Sequence, residues 1–181
     1  MIDSLSLDVI NANSEYIVRK DDKEGTLSFV TDSSAEIFIS FEKDDILQSG
    51  WVYQFGISNP KGTKSPRDSK VRNTILAIIE EFFEKNKAAL LYICETGDGL
   101  QQMRSRLFQY WFSIYKEKDE YLFLPQIIYD EEDNENYTAL IIRRDNPQFI
   151  DLVSEFTDTV NLLNGKPYTS SSSFDVCFVF S

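Results

Sequence analysis

Apolar and polar positions alternate with a period of two from about residue 16, the spacing that places successive side chains on opposite faces of a strand. Tyr16–Lys20 and Thr26–Val30 flank Asp21-Asp22-Lys23-Glu24-Gly25, which reads as a hairpin turn. Ala35, Ile37, Ile39 and Phe41 share one face of a third strand, and Trp51, Tyr53, Phe55 and Ile57 one face of a fourth. Short polar links between these runs predict an antiparallel meander. The period then lengthens. Ser65 is placed to cap a helix, Pro66 to open it and Asp68 to close a capping box. Val71, Ile75, Ile78, Ile79 and Phe82 follow at helical spacing as its buried stripe.

Ala89–Cys94 is a short apolar run that reads as a buried strand, and a second helix is predicted from about Gly99 to Lys116. Tyr121–Tyr129 and Tyr137–Arg143 form a predicted hairpin around the acidic loop Asp130–Asn136. Pro125 has no amide hydrogen, which puts its strand at a sheet edge or bulge. In a third helix, Asn146 caps, Pro147 opens, and Phe149, Val153, Phe156, Val160 and Leu163 make the stripe, with Gly165 and Pro167 as the stop. The serine-rich link Ser170–Ser173 leads to Phe174–Phe180, which alternates like a strand and needs pairing or cover.

The predicted fold is α+β. An antiparallel meander continues into a mixed sheet flanked by helices, in the order β-meander, α, β, α, β-hairpin, with a C-terminal helix and strand added. Residues 1–15 are an ambiguous N-terminal segment, 16–165 a single α+β domain, and 166–181 a C-terminal tail with a strand.

Composition narrows the function. The chain has 181 residues, 42% hydrophobic and 14% aromatic, enough for a substantial core. Its formal net charge of −12 opposes nucleic-acid binding, because a phosphate backbone needs a positive surface. The longest apolar run, Ala88–Cys94, is too short to cross a bilayer, and the N-terminus lacks the pattern of a secretory signal. Two cysteines make no disulfide framework, so a cytoplasmic protein is expected. The chain contains no histidine, which removes Ser-His-Asp and Cys-His catalysis and histidine-ligated metal within the chain. No metal site is predicted. The acidic loop lacks the glycine and terminal glutamate of an EF-hand.

Two groups of residues invite a chemical reading. Lys61, Gly62, Lys64, Ser65, Arg67 and Lys70 form a basic loop entering the first long helix, where free amides and the helix dipole favour an anion. The other is Arg104. At about 100° per residue, Leu100, Met103, Leu107, Trp111 and Ile114 form one face of the second helix, and Arg104 projects near its middle. A buried guanidinium needs a partner, and Glu95 and Asp98 in the preceding turn are the nearest acids in sequence. Gly97-Asp98-Gly99 makes a turn rather than a phosphate loop. Cys94 reads as a buried core thiol.

The segments from Ser65 to Ile75, from Cys94 to Gly99 and from Arg104 to Phe112 resemble those of a family of small uncharacterised bacterial proteins, over most of residues 16–145. That resemblance implies a full-length, stand-alone protein and brings no assigned activity. In element order the chain also resembles the GNAT acyltransferase superfamily, whose loop before the first of these helices holds the pyrophosphate of CoA. The corresponding loop is Asn59–Arg67. It departs from the superfamily's glycine pattern, since only Gly62 falls in it, and the position of the usual general-acid tyrosine is occupied by Phe108.

The reading that follows is a small acidic cytoplasmic protein without catalytic activity. It binds a protein or a small anionic ligand on a degenerate GNAT-like scaffold and needs no cofactor. One alternative is an acyl-CoA N-acyltransferase with acyl-CoA as its cofactor. Another is an acidic neutraliser of a basic toxin or of a nucleic-acid-binding protein.

Overall fold

The computed structural model describes residues 4–62, 68–94 and 99–165. They form eleven principal elements: α1 (Leu7–Asn13), β1 (Arg19–Lys20), β2 (Thr26–Val30), β3 (Glu36–Lys43), β4 (Val52–Ser58), α2 (Ser69–Lys85), β5 (Ala89–Ile93), α3 (Gln101–Ser113), β6 (Tyr121–Tyr129), β7 (Glu135–Arg143) and α4 (Phe149–Asn164). This is the α+β class and the element order foreseen. The predicted C-terminal strand lies outside the described residues.

The described strands make a seven-stranded mixed sheet in the order β1-β2-β3-β4-β5-β7-β6. Its ladders are antiparallel except β4 with β5, which run parallel because α2 carries the chain back between them. At the β1–β2 turn, Gly25 has φ +74°, and a Cβ there would lie 2.6 Å from the Phe41 carbonyl oxygen. The sharp reversal therefore depends on glycine.

Two apolar clusters lie on opposite faces of the sheet. Phe29, Ile39, Phe41, Phe55, Leu90, Tyr92 and Ile141 face Ile75, Ile78 and Phe82 of α2 and Phe108 and Phe112 of α3. Val52, Ala89, Leu91, Leu140 and Ile142 face Leu152, Phe156 and Val160 of α4. Alternation along β5 is therefore split between two cores: Leu90 and Tyr92 serve one, Ala89 and Leu91 the other.

Several boundaries differ from the sequence expectation, each for a traceable reason. The strand expected at Tyr16–Lys20 shrinks to Arg19–Lys20, because side chains take its first amides. Tyr16 N donates to Thr74 Oγ1 at 3.1 Å, and the Asn11 side chain bonds both Val18 N (2.7 Å) and Val18 O (3.1 Å). The ambiguous first segment contains α1, capped by Ser6 and docked on α2 through the buried Ile10 and a bond from Ser6 N to Glu81. α2 starts at Ser69 with Asp68 as its cap, so Asp68 stands before the helix rather than at its third position. Ser65 and Pro66 lie outside the described residues. β7 starts at Glu135, leaving an acidic tip that Asp130 closes by accepting from the amides of Glu132 and Asn134. α4 starts at Phe149, after Asn146 has turned the chain by accepting from Gln148 N at 2.8 Å. Its fully buried residue, Leu152, was not in the expected stripe.

Among the described strands β6 lies at the sheet edge, one of the two settings expected from Pro125. No helix of the described residues is long and apolar enough to cross a membrane.

Candidate functional site

The carboxyl ends of β4 and β5 are where this sheet changes character. Their parallel ladder runs from Val52↔Ala89 to Phe55↔Tyr92 and stops there. β4 continues to Ser58, paired with β3, and β5 continues to Ile93, paired with β7. The two strands are thus bonded outward but not to each other at Gly56–Ser58 and Ile93. Crevices of this kind, where parallel strands hand over to helices, are common ligand positions in open sheets.

At this place β5 carries Tyr92 and Cys94 toward the α2–α3 side, both buried. Burial pushes the Cys94 thiol above its ordinary value of 9.0, against the smaller opposing effects of a hydrogen bond with Tyr92 and of the nearby Arg104. Burial likewise raises the Tyr92 hydroxyl well above its usual value. At neutral pH both groups hold their protons. Cys94 is thus a free thiol buried in the core, as expected.

Arg104, in the first turn of α3, is half-buried and close enough to Tyr92 and Cys94 to act on both electrostatically. Its expected partners Glu95 and Asp98 lie outside the described residues. Its setting differs from the expectation in one respect. The buried side of α3 is made by Ser105, Phe108 and Phe112, continued by Tyr115 just beyond the helix. The helix is turned by about 120° from the orientation that the Leu100–Ile114 stripe suggested. Arg104 stands at the flank of the buried arc, not at the centre of an apolar face. The reason is volume: Phe108 and Phe112 fill space against Tyr92, Phe55 and Phe123, and the small Ser105 lets the helix approach the sheet.

That rotation leaves the sequence's most regular apolar stripe outside. Leu100, Met103, Tyr110 and Ile114 are 44%, 55%, 57% and 45% exposed, with Leu107 and Trp111 half-buried beside them. At about 100° per residue, Leu100, Met103, Leu107, Tyr110 and Ile114 fall within an arc of about 80°.

Of the basic loop, Lys61, Gly62 and Lys70 are among the described residues. Lys64, Ser65 and Arg67 lie outside the described residues. Lys61 Nζ is 2.8 Å from Glu36, and Lys70 Nζ is 2.6 Å from Asp32, so acids of the meander neutralise both. Gly62 makes a tight turn at φ +59°. The N-terminus of α2 is already served by a carboxylate: Asp68 Oδ1 accepts from Lys70 N at 2.8 Å. The Tyr16 hydroxyl also donates to Asp68. That bond is the main reason the Asp68 carboxyl sits below its ordinary 3.8. Sequence spacing did not single out Asp32, Glu36 or Tyr16 as partners, since each is far along the chain from the group it meets.

Asp68→Ala should cost about 1 kcal/mol at neutral pH, the usual worth of an N-cap. A lowered native pKa gives stability that is present above the ordinary value of 3.8 and lost as pH falls through the native one. Urea midpoints of the parent and the variant should therefore differ at neutral pH and converge on acidification below 3.8.

No curated protein and no solved structure matches the chain. A family model does match it, over residues 67–158, just over half of its length and the stretch from the start of α2 into α4. Two of the three segments that carried the resemblance to a family without assigned activity fall within that match, and the third lies almost wholly inside it. The chain belongs to the DUF6169 family, a family of unknown function.

Proposed function

We propose that the protein is a non-catalytic binding protein that docks a basic protein partner on the outward face of α3. The observation that carries this reading is the stripe of Leu100, Met103, Leu107, Tyr110 and Ile114. It is a regular apolar row that lies outside the buried core of the described residues. Exposed apolar rows of this kind mark contact surfaces, and aromatic members such as Tyr110 and Trp111 are typical anchors. The net charge of −12 would speed encounter with a basic partner and repel acidic ones. A basic toxin or a nucleic-acid-binding protein has that chemistry. The lack of histidine and the protonated, buried Cys94 support a role without catalysis.

The test replaces Met103 and Ile114 together by aspartate in the full chain. The parent should be recovered from its native cells in a salt-sensitive complex with a basic protein that can be rebuilt from purified components. The double variant should melt at the parent's temperature and bind at least about 30-fold more weakly, as two interface positions worth more than 1 kcal/mol each require. Recovery of the parent only as a free monomer, or undiminished binding by the variant, removes the reading.

The parting of β4 and β5 beside Arg104 favours a second reading, a small anionic ligand such as acyl-CoA on a GNAT-like scaffold. The Asp68 carboxylate at the start of α2 weighs against it, since it holds an amide that a pyrophosphate would use. A ligand at a hundred times its Kd adds about 2.7 kcal/mol of stability. Millimolar CoA should then raise the melting temperature of the parent but not of Lys64→Glu/Arg67→Glu. An unchanged parent eliminates this reading.

A further inference from the structure

The apolar row on the outward side of α3 has a spacing of its own. Leu100, Met103, Leu107, Tyr110 and Ile114 follow one another by steps of three, four, three and four residues. That is the a and d pattern of two heptads, whose mean period is about 3.5 residues. In the same frame Ser105 and Phe112 take the f position and Phe108 the b position, and these are the residues buried against the sheet. One side of α3 therefore serves the core, while a complete seam of the opposite side faces outward. From Leu100 to Ile114 that seam rises about 21 Å, close to four helical turns.

The residues flanking the seam carry the second observation. Arg104 and Trp111 fall at e, Arg106 and Ser113 at g. Arg106 is exposed, and Trp111 is half-buried with its ring 6.1 Å from that of Phe108. The sequence from Gly99 to Lys116 contains no aspartate or glutamate, although the whole chain carries a net charge of −12. Charges at e and g decide which partner a heptad seam accepts. The net charge acts during encounter and is screened beyond about 8 Å at physiological ionic strength. At contact distance the sign is opposite, because the flank of the seam is cationic.

A seam stepped by three and four matches the ridges of another helix, crossing at about 20°, and not the period of two of a strand. A second copy of this chain is the wrong helix. It would set arginine against arginine at contact and −12 against −12 at a distance. We propose that the element docked on α3 is an amphipathic α-helix of the partner, packed along the heptad seam with aspartate or glutamate opposite Arg106. The inference rests on the reading of this face as a docking surface. It makes the partner basic as a whole but acidic beside the apolar row of its contact helix.

The test titrates two synthetic helices of about three heptads into the full chain at physiological ionic strength. Both carry leucine at a and d; one has glutamate and the other lysine at every e and g. Like charges on both flanks keep each probe from pairing with itself. The glutamate helix should shift the amides of Met103, Leu107 and Ile114. The lysine helix, which the net charge attracts at a distance, should bind at least about tenfold more weakly, as a close charge pair across an interface confers. Arg106→Glu should reverse that order and melt with the parent, since Arg106 is exposed. A parent that prefers the lysine helix, an order unchanged by Arg106→Glu, shifts away from α3, or no binding of either helix overturns the proposal. So does self-association of the parent through the same amides, which would make the occupant a second copy. Met103→Asp/Ile114→Asp separates the two readings. A partner complex weakened by that variant, with neither helix bound by the parent, keeps the docking face and discards its helical occupant.

Discussion

Phe108→Ala is expected to lower the stability of the protein by about 3–5 kcal/mol, the range for deleting a buried aromatic ring. Phe108 is 2% exposed and touches rings from three strands: Phe55 of β4 at 6.0 Å, Tyr92 of β5 at 4.3 Å and Phe123 of β6 at 5.8 Å. Phe112 and Trp111 complete the set. Phe55, Tyr92, Phe112 and Phe123 are each held by other ring contacts, so much of the cavity would persist. The urea midpoint should fall with the slope of the transition unchanged. Met103→Ala, on the outward face of the same helix, should change stability by less than about 0.5 kcal/mol. The pair of results fixes the rotation of α3. Had the Leu100–Ile114 stripe been the core face, their order would be reversed.

Asp44→Ala should be nearly as harmful, by about 2–4 kcal/mol, although it lies in a loop. Asp44 is 3% exposed, and its carboxylate accepts from Ile46 N at 3.0 Å, Leu47 N at 2.9 Å and Gln54 Nε2 at 2.9 Å. Its own amide donates to Val52 O. The residue folds the β3–β4 connection onto the end of β4 and so brings Leu47 into the α4 core. Alanine would leave buried donors without an acceptor, at about 1–3 kcal/mol for each donor that water does not reach. Asp44→Asn keeps one acceptor oxygen for the two backbone amides, and the Gln54 amide can turn to match the new donor. Its loss should be under half that of alanine in the same urea titration. A similar loss for both variants would show that charge, rather than acceptor geometry, holds the loop.

Much of the fold was legible because local signals agreed. Period-two runs, the capped helices and Pro125 each reported their element from within a few residues. Where the reading failed, side-chain hydrogen bonds and ring contacts outcompeted the periodic signal. Tyr16 and Val18 alternate like strand residues, yet Thr74 and Asn11 take their amides. The stripe on α3 is better spaced than the Phe108–Phe112 arc, but ring volume against the sheet decided which side turned inward. The candidate site was legible in its residue types more than in their roles. Lys61 and Lys70 stand out in the sequence, while the acids that neutralise them, Glu36 and Asp32, lie one or two strands earlier.

The four-pair parallel ladder between β4 and β5 also sets the order in which this chain can assemble. Strands β1 to β4 meet through short reversals, so the meander can close as soon as it leaves the ribosome. β4 then waits, its inner edge uncovered, until the whole of α2 and β5 have been synthesised, because a parallel neighbour cannot arrive by a hairpin. During that interval α2 carries Ile75, Ile78 and Phe82 with only half a sheet to lie on. The interval between the emergence of β4 and that of β5 is therefore the stage of synthesis at which aggregation is expected.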